Sequence, residues 1–370
     1  DETGNTKLDT ALLSGEQIDL YFTYSVDGLK KRVEGGMMEP LASYGVEDFA
    51  KENIVGGLDG LVTINDALYA LPTAKEPVAM MLNKNMLDAL NITIPENWTV
   101  EQFSEIAKQL TAEVDGKKVY GTSVYYAGLP LDFAGPVLGG DSKYNAEGTA
   151  SNFDAPEFVA NASVKALIDN GSALPYEELI TRKLETYAHP AFLAGEVGMM
   201  AFSAWMLRYV KDLENFPHDF VATFAPIPTT AEGVKNPYQA ALNNHLCMNS
   251  NTEYKDQAWQ FMQYWITEGS KYMYTAGKIP AWNKADLEEA TKGILGENPE
   301  KLFDVAAYKK VMLNPEVLPI VDTITVAYPQ MMQIYKEESE MYFLNVTTQE
   351  EYLANLKERC DAIIKEELGQ

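Results

Sequence analysis

Short apolar segments alternate with amphipathic segments along most of this chain, and that alternation limits its fold more than any other feature. The segment Ile18–Phe22 predicts a strand buried on both faces of a parallel sheet. The helix predicted next, over Asp27–Glu34, ends at Gly35 and Gly36, where a glycine C-cap is expected. This order of elements, a strand, a loop and a helix that ends at glycine, predicts an α/β protein.

Later segments repeat this pattern. Ala67–Pro72 and Pro77–Leu82 predict two buried strands separated by a short polar link. Thr99 and Gln102 have the spacing of a capping box, so a helix is expected to begin there. With 370 residues the chain is too long for one ordinary core, and no low-complexity linker separates two halves. We therefore expect two domains between which the chain crosses more than once.

Composition excludes several classes of function. The 29 Lys and Arg residues against 54 Asp and Glu residues give a formal net charge of −25, which repels nucleic acid and anionic membrane surfaces. Cys247 and Cys360 lack metal-ligand spacing and are interpreted as isolated thiols. The sequence contains no zinc pattern, P-loop, GxGxxG fingerprint or serine triad, so no metal, cofactor or catalytic residue is expected.

A series of short motifs occurs in an order typical of one protein family. The motifs are LSGEQIDL at 13–20, GMMEPL at 36–41, LYALP at 68–72, MLNK at 81–84, WTVEQF at 98–103, AFLAGEVGMM at 191–200, APIP at 225–228 and GKIPA at 277–281. Together they resemble the bacterial extracellular solute-binding proteins, family 1, of carbohydrate-importing ATP-binding-cassette (ABC) systems, in the branch similar to maltodextrin-binding proteins. The resemblance implies a non-enzymatic monomer that captures a sugar or oligosaccharide and delivers it to an ABC transporter permease.

The resemblance also implies a periplasmic-binding-protein-like type II fold, with two α/β lobes, a hinge and a ligand cleft between the lobes. Lobe I comprises residues 1–74 and 243–305, and lobe II comprises residues 78–240 and 306–370. The family normally has a strand, a helix and a second strand before the segment that matches 13–20, and that unit is incomplete here. We therefore expect an export signal upstream of Asp1, and a protein that is periplasmic or lipid-anchored on the outer face of the cell membrane.

A sugar site needs aromatic faces for stacking and fixed polar groups for hydroxyls. Trp205 is the first candidate, because the family often places a stacking tryptophan after the strand that matches 197–202. Trp282 follows the GKIPA motif and is the second. Glu76 lies in the polar link, where a maltodextrin-binding relative has a glutamate that faces sugar hydroxyls. Trp98, in contrast, belongs to a helix-start motif and is interpreted as structural.

Further candidates come from loops and strand ends. Ligands in α/β folds bind beyond the carboxyl ends of strands, which selects the loop after the first predicted strand. One of two adjacent tyrosines is expected to face the cleft, an asparagine lies near a crossing strand, and one tyrosine matches a stacking aromatic of the family. These further candidates are Tyr24, Ser25, Asp27, Tyr125, Tyr126, Asn244 and Tyr328.

Other functions are alternatives to sugar binding. A glycan-active enzyme needs two opposed carboxylates, and nothing in the sequence marks one pair. Adjacent tyrosines such as Tyr125 and Tyr126 occur in ferric-ion binders of the same fold, and a peptide or polyamine ligand is a further alternative. The expected ligand is a neutral polyhydroxylated molecule, because a carboxylate accepts from hydroxyls and the chain charge of −25 disfavours anions.

Overall fold

A computed structural model describes residues 2–234, 239–314 and 317–370. The chain divides into two compact units. Unit 1 comprises Asp1–Glu76, Ala240–Ile294 and Leu318–Thr325, and unit 2 comprises Pro77–Gln239, Leu295–Val317 and Val326–Gln370. Each unit is therefore assembled from separate stretches of the sequence.

Helices and strands alternate along the chain. The helices are α1 Glu2–Ser14, α2 Val26–Glu34, α3 Val46–Asn53, α4 Lys84–Ala89, α5 Val100–Leu110, α6 Gly135–Leu138, α7 Glu157–Ser163, α8 Lys165–Asp169, α9 Tyr176–Thr181, α10 His189–Leu193, α11 Leu207–Val210, α12 Lys255–Ile266, α13 Leu287–Leu295, α14 Val305–Met312, α15 Tyr328–Phe343 and α16 Gln349–Glu367. The strands are β1 Leu20–Thr23, β2 Ala70–Asn83, β3 Ala112–Val114, β4 Lys117–Thr122, β5 Tyr125–Tyr126, β6 Leu129–Pro130, β7 Val197–Ser203, β8 Ala222–Pro226, β9 Gln239–Met248, β10 Ile279–Pro280 and β11 Leu318–Ile320.

The sheet of unit 1 is built around β9. Strand β1 pairs with β9 in antiparallel register, with Leu20 opposite Met248 and Thr23 opposite His245. Strand β2 neighbours β9, and β10 runs antiparallel to β2. The prediction that Ile18–Phe22 is a strand buried on both faces of a parallel sheet was wrong, because β1 runs antiparallel to β9 and only alternate residues of β1, Tyr21 and Thr23, are buried.

Strand β2 corrects a second prediction. The two strands expected at 67–72 and 77–82 form one strand of 14 residues, Ala70–Asn83. The polar link does not interrupt it because the backbone on both sides remains paired, Lys75 with Ile279 and Val78 with Ser203. Side-chain polarity does not end a strand whose backbone groups keep their partners. The boundary between the two units, at Glu76, lies within this strand.

Unit 2 contains a second set of strand pairings. The second part of β2 pairs antiparallel with β7 and with β8, while β4 lies parallel to β7. Helix α5 begins with the predicted capping box, since Thr99 and Gln102 exchange side-chain-to-backbone hydrogen bonds. Trp98 is fully buried, and its Nε1 donates to the Pro226 carbonyl at 2.8 Å. The structural role predicted for Trp98 is confirmed.

Both cysteines, Cys247 and Cys360, are free and buried. Within residues 2–234, 239–314 and 317–370, no helix has the length and apolarity that crossing a membrane requires.

Candidate ligand-binding site

Two candidate residues of unit 1, Glu76 and Asn244, are hydrogen-bonded to each other. Glu76 accepts from Asn243 Nδ2 at 3.3 Å and from Asn244 Nδ2 at 3.2 Å. It also forms an ion pair with Lys278, whose Nζ donates to Oε1. We call these residues, Glu76, Asn243, Asn244 and Lys278, the Glu76 group. The Glu76 side chain is 17% exposed, so it is partly shielded but still open to a ligand.

Backbone geometry brings the asparagines to Glu76. Asn244 lies in β9 with φ of 51°, a left-handed conformation that asparagine tolerates better than most residues. Its N–H donates to Asn243 Oδ1 at 2.7 Å, and its carbonyl accepts from Thr73 Oγ1 at 2.9 Å. Asn244 is 2% exposed, so this unusual conformation is held inside the unit. Non-glycine residues held in this sparsely populated backbone conformation are often found at functional sites.

Tyr24, Ser25 and Asp27 surround the start of α2 in the same unit. Tyr24 is exposed, and burial of part of its ring together with the charge of Glu76 raises its pKa. Ser25 is the N-cap of α2, and its Oγ accepts from the Gly28 N–H at 3.1 Å. Asp27 lies in the first turn of α2.

Trp282, the other aromatic candidate of unit 1, is partly buried. Its backbone forms a bridge with Ile54. Its Nε1 is buried and has no hydrogen-bond partner among the described residues. A buried indole N–H usually has a partner, so this donor has unused capacity.

Two candidates of unit 2, Trp205 and Tyr126, belong to one aromatic group. Trp205 lies in the short 3-10 turn Ala204–Met206 directly after β7, and its ring centroid is 4.8 Å from that of Tyr187 and 6.2 Å from that of Tyr209. Tyr126 contacts Tyr187 at 5.7 Å. The Arg208 guanidinium lies 5.4 Å from the Trp205 ring centroid and 4.8 Å from that of Tyr209. We call Tyr126, Tyr187, Trp205, Arg208 and Tyr209 the Trp205 group.

His189 extends this aromatic surface. Its ring stacks on Tyr209 with centroids 4.3 Å apart and planes at 14°. Burial, and to a lesser degree the positive charge of Arg208, lowers the pKa of His189 to about 4. The imidazole is therefore neutral at pH 7, and its Nδ1 is buried without a partner among the described residues.

The two adjacent tyrosines occupy different environments. Tyr125 is 3% exposed and packs against Tyr176 and Phe343 at 5.3 and 5.1 Å, so it belongs to the core of unit 2. Burial raises its pKa well above the ordinary value. Tyr126, the next residue of β5, instead joins the Trp205 group.

Tyr328, the last candidate of unit 2, is the first residue of α15. Burial, together with the nearby Tyr328 hydroxyl, raises the pKa of Tyr144. The Tyr144 hydroxyl donates to the Val326 carbonyl at 2.9 Å, which ties it to the segment that leads into α15. Tyr328 is therefore placed at the start of a helix, with another tyrosine as its neighbour.

Sequence reasoning missed Lys278, Tyr187, Arg208, Tyr209 and His189. Arg208 and Tyr209 lie three and four residues after Trp205, the spacing at which helical side chains become neighbours, and that signal was available. Tyr187 and His189 precede the AFLAG motif and belong to no sequence motif that would have identified them. Among the described residues, no group of three His, Cys, Asp or Glu side chains forms a possible metal site.

The chain is similar to one protein family and to several solved structures. The family described as bacterial extracellular solute-binding protein matches residues 1–272. No curated protein matches the chain significantly.

Solved structures match nearly the whole chain. A sugar transporter protein from Rhizobium etli in an open conformation is 19% identical with a TM-score of 0.75, and the match covers 98% of this chain and 88% of that one. An ABC substrate-binding protein from Listeria monocytogenes in complex with cycloalternan is 18% identical with a TM-score of 0.70, covering 98% and 88%. The sugar-binding protein MalE from Xanthomonas citri is 15% identical with a TM-score of 0.71, covering 100% and 89%. Similarity at this level establishes the fold, and the predicted periplasmic-binding-protein-like α/β fold is confirmed.

Proposed function

Because the chain belongs to the family of bacterial extracellular solute-binding proteins, we propose that its ligand is a carbohydrate, which it delivers to the permease of an ABC importer. Members of this family are non-catalytic transport receptors, so the chain is a binding protein and not an enzyme. We also propose that lobe I comprises residues 1–74 with 243–305 and that lobe II comprises residues 78–240 with 306–370. The two compact units differ from this assignment chiefly at residues 295–305, which belong to unit 2, and at residues 318–325, which belong to unit 1.

The main support for a carbohydrate ligand is the Trp205 group. Sugars have apolar C–H faces that stack on aromatic rings and a rim of hydroxyls that need donors and acceptors. Trp205 has Tyr187 and Tyr209 as aromatic neighbours and Arg208 as a nearby donor. Solved structures with this fold include proteins described as a sugar transporter, as a complex with cycloalternan and as sugar-binding, which supports the same class of ligand.

The Glu76 group supports a neutral ligand over a cationic one. A polyamine needs carboxylates whose charge is not already compensated. Glu76 is paired with Lys278 within unit 1, so this group has no net charge. The tyrosine pair does not favour ferric ion either, because Tyr125 lies in the core of unit 2 while Tyr126 belongs to the Trp205 group.

We further propose that the protein is exported, either periplasmic or lipid-anchored on the outer face of the membrane, and that it acts as a monomer without a cofactor. The family name, which describes extracellular proteins, supports export. Cell fractionation distinguishes the periplasmic form from the anchored one. Metabolic labelling with a fatty acid followed by immunoprecipitation detects the anchor, and size-exclusion chromatography with light scattering measures the oligomeric state.

A thermal-shift screen against monosaccharides and oligosaccharides tests the carbohydrate function. A ligand present at 100 times its Kd stabilises the folded protein by ~2.7 kcal/mol, which raises the melting temperature of a chain of this length by roughly 3–4 °C. Spermidine, ferric citrate and a tripeptide mixture represent the alternatives. Shifts with these and none with sugars would overturn the proposal. Chromatography of the bound sugar after incubation checks that it is returned intact.

A further inference from the structure

Lys278 is the charged residue of the Glu76 group that sequence analysis did not identify, and backbone pairing fixes its position. Strand β10 runs antiparallel to β2 with Ile279 opposite Lys75, so the preceding residue, Lys278, lies beside Glu76. The Lys278 and Glu76 side chains are 19% and 17% exposed. An ion pair at this depth is shielded more than a surface pair, yet it is still open to solvent on one side.

Hydrogen-bonding capacity shows which atoms of the group remain for a ligand. A carboxylate has about four acceptor sites. Glu76 fills three of them with Asn243, Asn244 and Lys278. Lysine has about three donors, and within the described chain Lys278 uses one of them, toward Glu76. The pair therefore offers about one acceptor site and about two N–H donors side by side.

We propose that Lys278 contacts the ligand directly, and that Lys278 and Glu76 together hold two adjacent hydroxyl groups of a sugar. This inference rests on the proposed carbohydrate function. One hydroxyl donates to the remaining acceptor site of Glu76, and its neighbour accepts from the Lys278 ammonium. The pair has no net charge, so neither an anionic nor a cationic group finds an uncompensated partner there. A vicinal diol is neutral and supplies one donor and one acceptor, so it satisfies both side chains.

Isothermal titration calorimetry of wild type and Lys278→Met tests this role. The probes are maltotriose, xylotriose, cellotriose and tagatose, followed by the monodeoxy derivatives of the tightest binder. Methionine keeps much of the apolar stem and removes the donors, so binding weakens by roughly 10- to 100-fold, the loss of one or two charge-assisted hydrogen bonds. Lys278→Arg keeps a charged donor and recovers part of the affinity.

The deoxy sugars separate direct contact from a structural role. Removing the hydroxyl that Lys278 contacts weakens binding to wild type but has little effect on binding to Lys278→Met. Lys284→Met is the matched control, because Lys284 also forms an ion pair in unit 1, with Glu52 at 2.9 Å, and it is 49% exposed. The sugar affinity of Lys284→Met is expected to stay within about twofold of wild type, because exposed ion pairs contribute little. The double variant Glu76→Gln/Lys278→Met leaves no unpaired charge. If Lys278→Met does not fold, the same deoxy sugars are measured with this double variant.

Each outcome decides between the two proposals. If wild type binds a sugar and Lys278→Met binds it equally well, the contact with Lys278 is overturned and the carbohydrate function stands. The contact is also overturned if every deoxy sugar loses the same factor in both proteins. If wild type binds none of the probes, the carbohydrate function is overturned, and the diol contact falls with it.

Discussion

Replacing Trp205 with alanine removes the largest flat surface of the Trp205 group. The rings of Tyr187 and Tyr209 lie edge-on to Trp205, with interplanar angles of 78° and 79°, so neither of them lies parallel to the indole plane. A sugar stacked on that indole gains about 0.5–1.5 kcal/mol beyond its buried area. Covering roughly 60–100 Å² of apolar surface adds about 1.5–2.5 kcal/mol at ~25 cal/mol per Å². Trp205→Ala is therefore expected to weaken sugar binding by about 2–4 kcal/mol, roughly 30- to 900-fold in Kd.

Calorimetry with the tightest sugar of the thermal-shift screen measures this change, and three variants calibrate it. Trp205→Phe keeps an aromatic face and is expected to retain most of the affinity. Tyr254→Ala removes an aromatic side chain that is 50% exposed in unit 1 and should leave binding unchanged. Trp98→Ala removes a fully buried ring with a hydrogen bond to Pro226, so this variant is expected to lose its fold.

Two results would refute the reasoning about Trp205. The first is a folded Trp205→Ala variant whose affinity lies within about twofold of wild type. The second is a Trp205→Ala variant that fails to fold in the same way as Trp98→Ala, because this would identify Trp205 as a core residue. Circular dichroism and the melting temperature of each variant distinguish the two results from a true loss of binding.

Three further changes have defined outcomes. Glu76→Gln keeps the shape of the Glu76 group but weakens a charge-assisted acceptor, so sugar binding measured by calorimetry falls by about 1–2 kcal/mol. Gly121→Ala places a Cβ atom 1.8 Å from the Ala107 carbonyl oxygen, so soluble expression and the melting temperature collapse, and normal values for both would contradict this contact. Burial lowers the pKa of His245 from 6.5 to about 4, so the unfolded state binds more protons between those values. The contribution of His245 to stability is complete above pH 6.5 and is lost as the pH falls toward 4, on the order of 3 kcal/mol. His245→Gln therefore loses less stability than wild type in urea denaturation between pH 7.5 and pH 4.5, and an equal loss in both proteins would contradict this assignment.

Local features of the fold could be predicted because their causes lie within a few residues. The capping box at Thr99 and Gln102 forms as expected, since both of its hydrogen bonds join residues three apart. The helix expected over Asp27–Glu34 is α2, Val26–Glu34, with Gly35 as its C-cap. Neither feature depends on which strand or helix comes later in the chain.

Strand pairing could not be predicted in the same way, because its causes are distant in sequence. The direction of β1 is set by β9, and the continuity of β2 through its polar residues is set by β7 and β10. The same limit applies to the candidate site. Lys278 is 202 residues from Glu76 along the chain, and nothing in the GKIPA motif indicates that its lysine pairs with a carboxylate. Tyr125 and Tyr126 are neighbours in sequence, yet only the folded strand shows that one belongs to the core and the other to the Trp205 group.

The charges within the Glu76 group and the Trp205 group differ from the charge of the whole chain. The chain has a formal net charge of −25, which taken alone favours a cationic ligand. In the Glu76 group, however, the carboxylate is compensated by Lys278, and the only formal charge of the Trp205 group is the positive charge of Arg208. Charges beyond about 8–10 Å are largely screened at physiological ionic strength, so the many surface carboxylates contribute little at either group. We therefore expect a neutral ligand, because Lys278 already compensates the charge of Glu76.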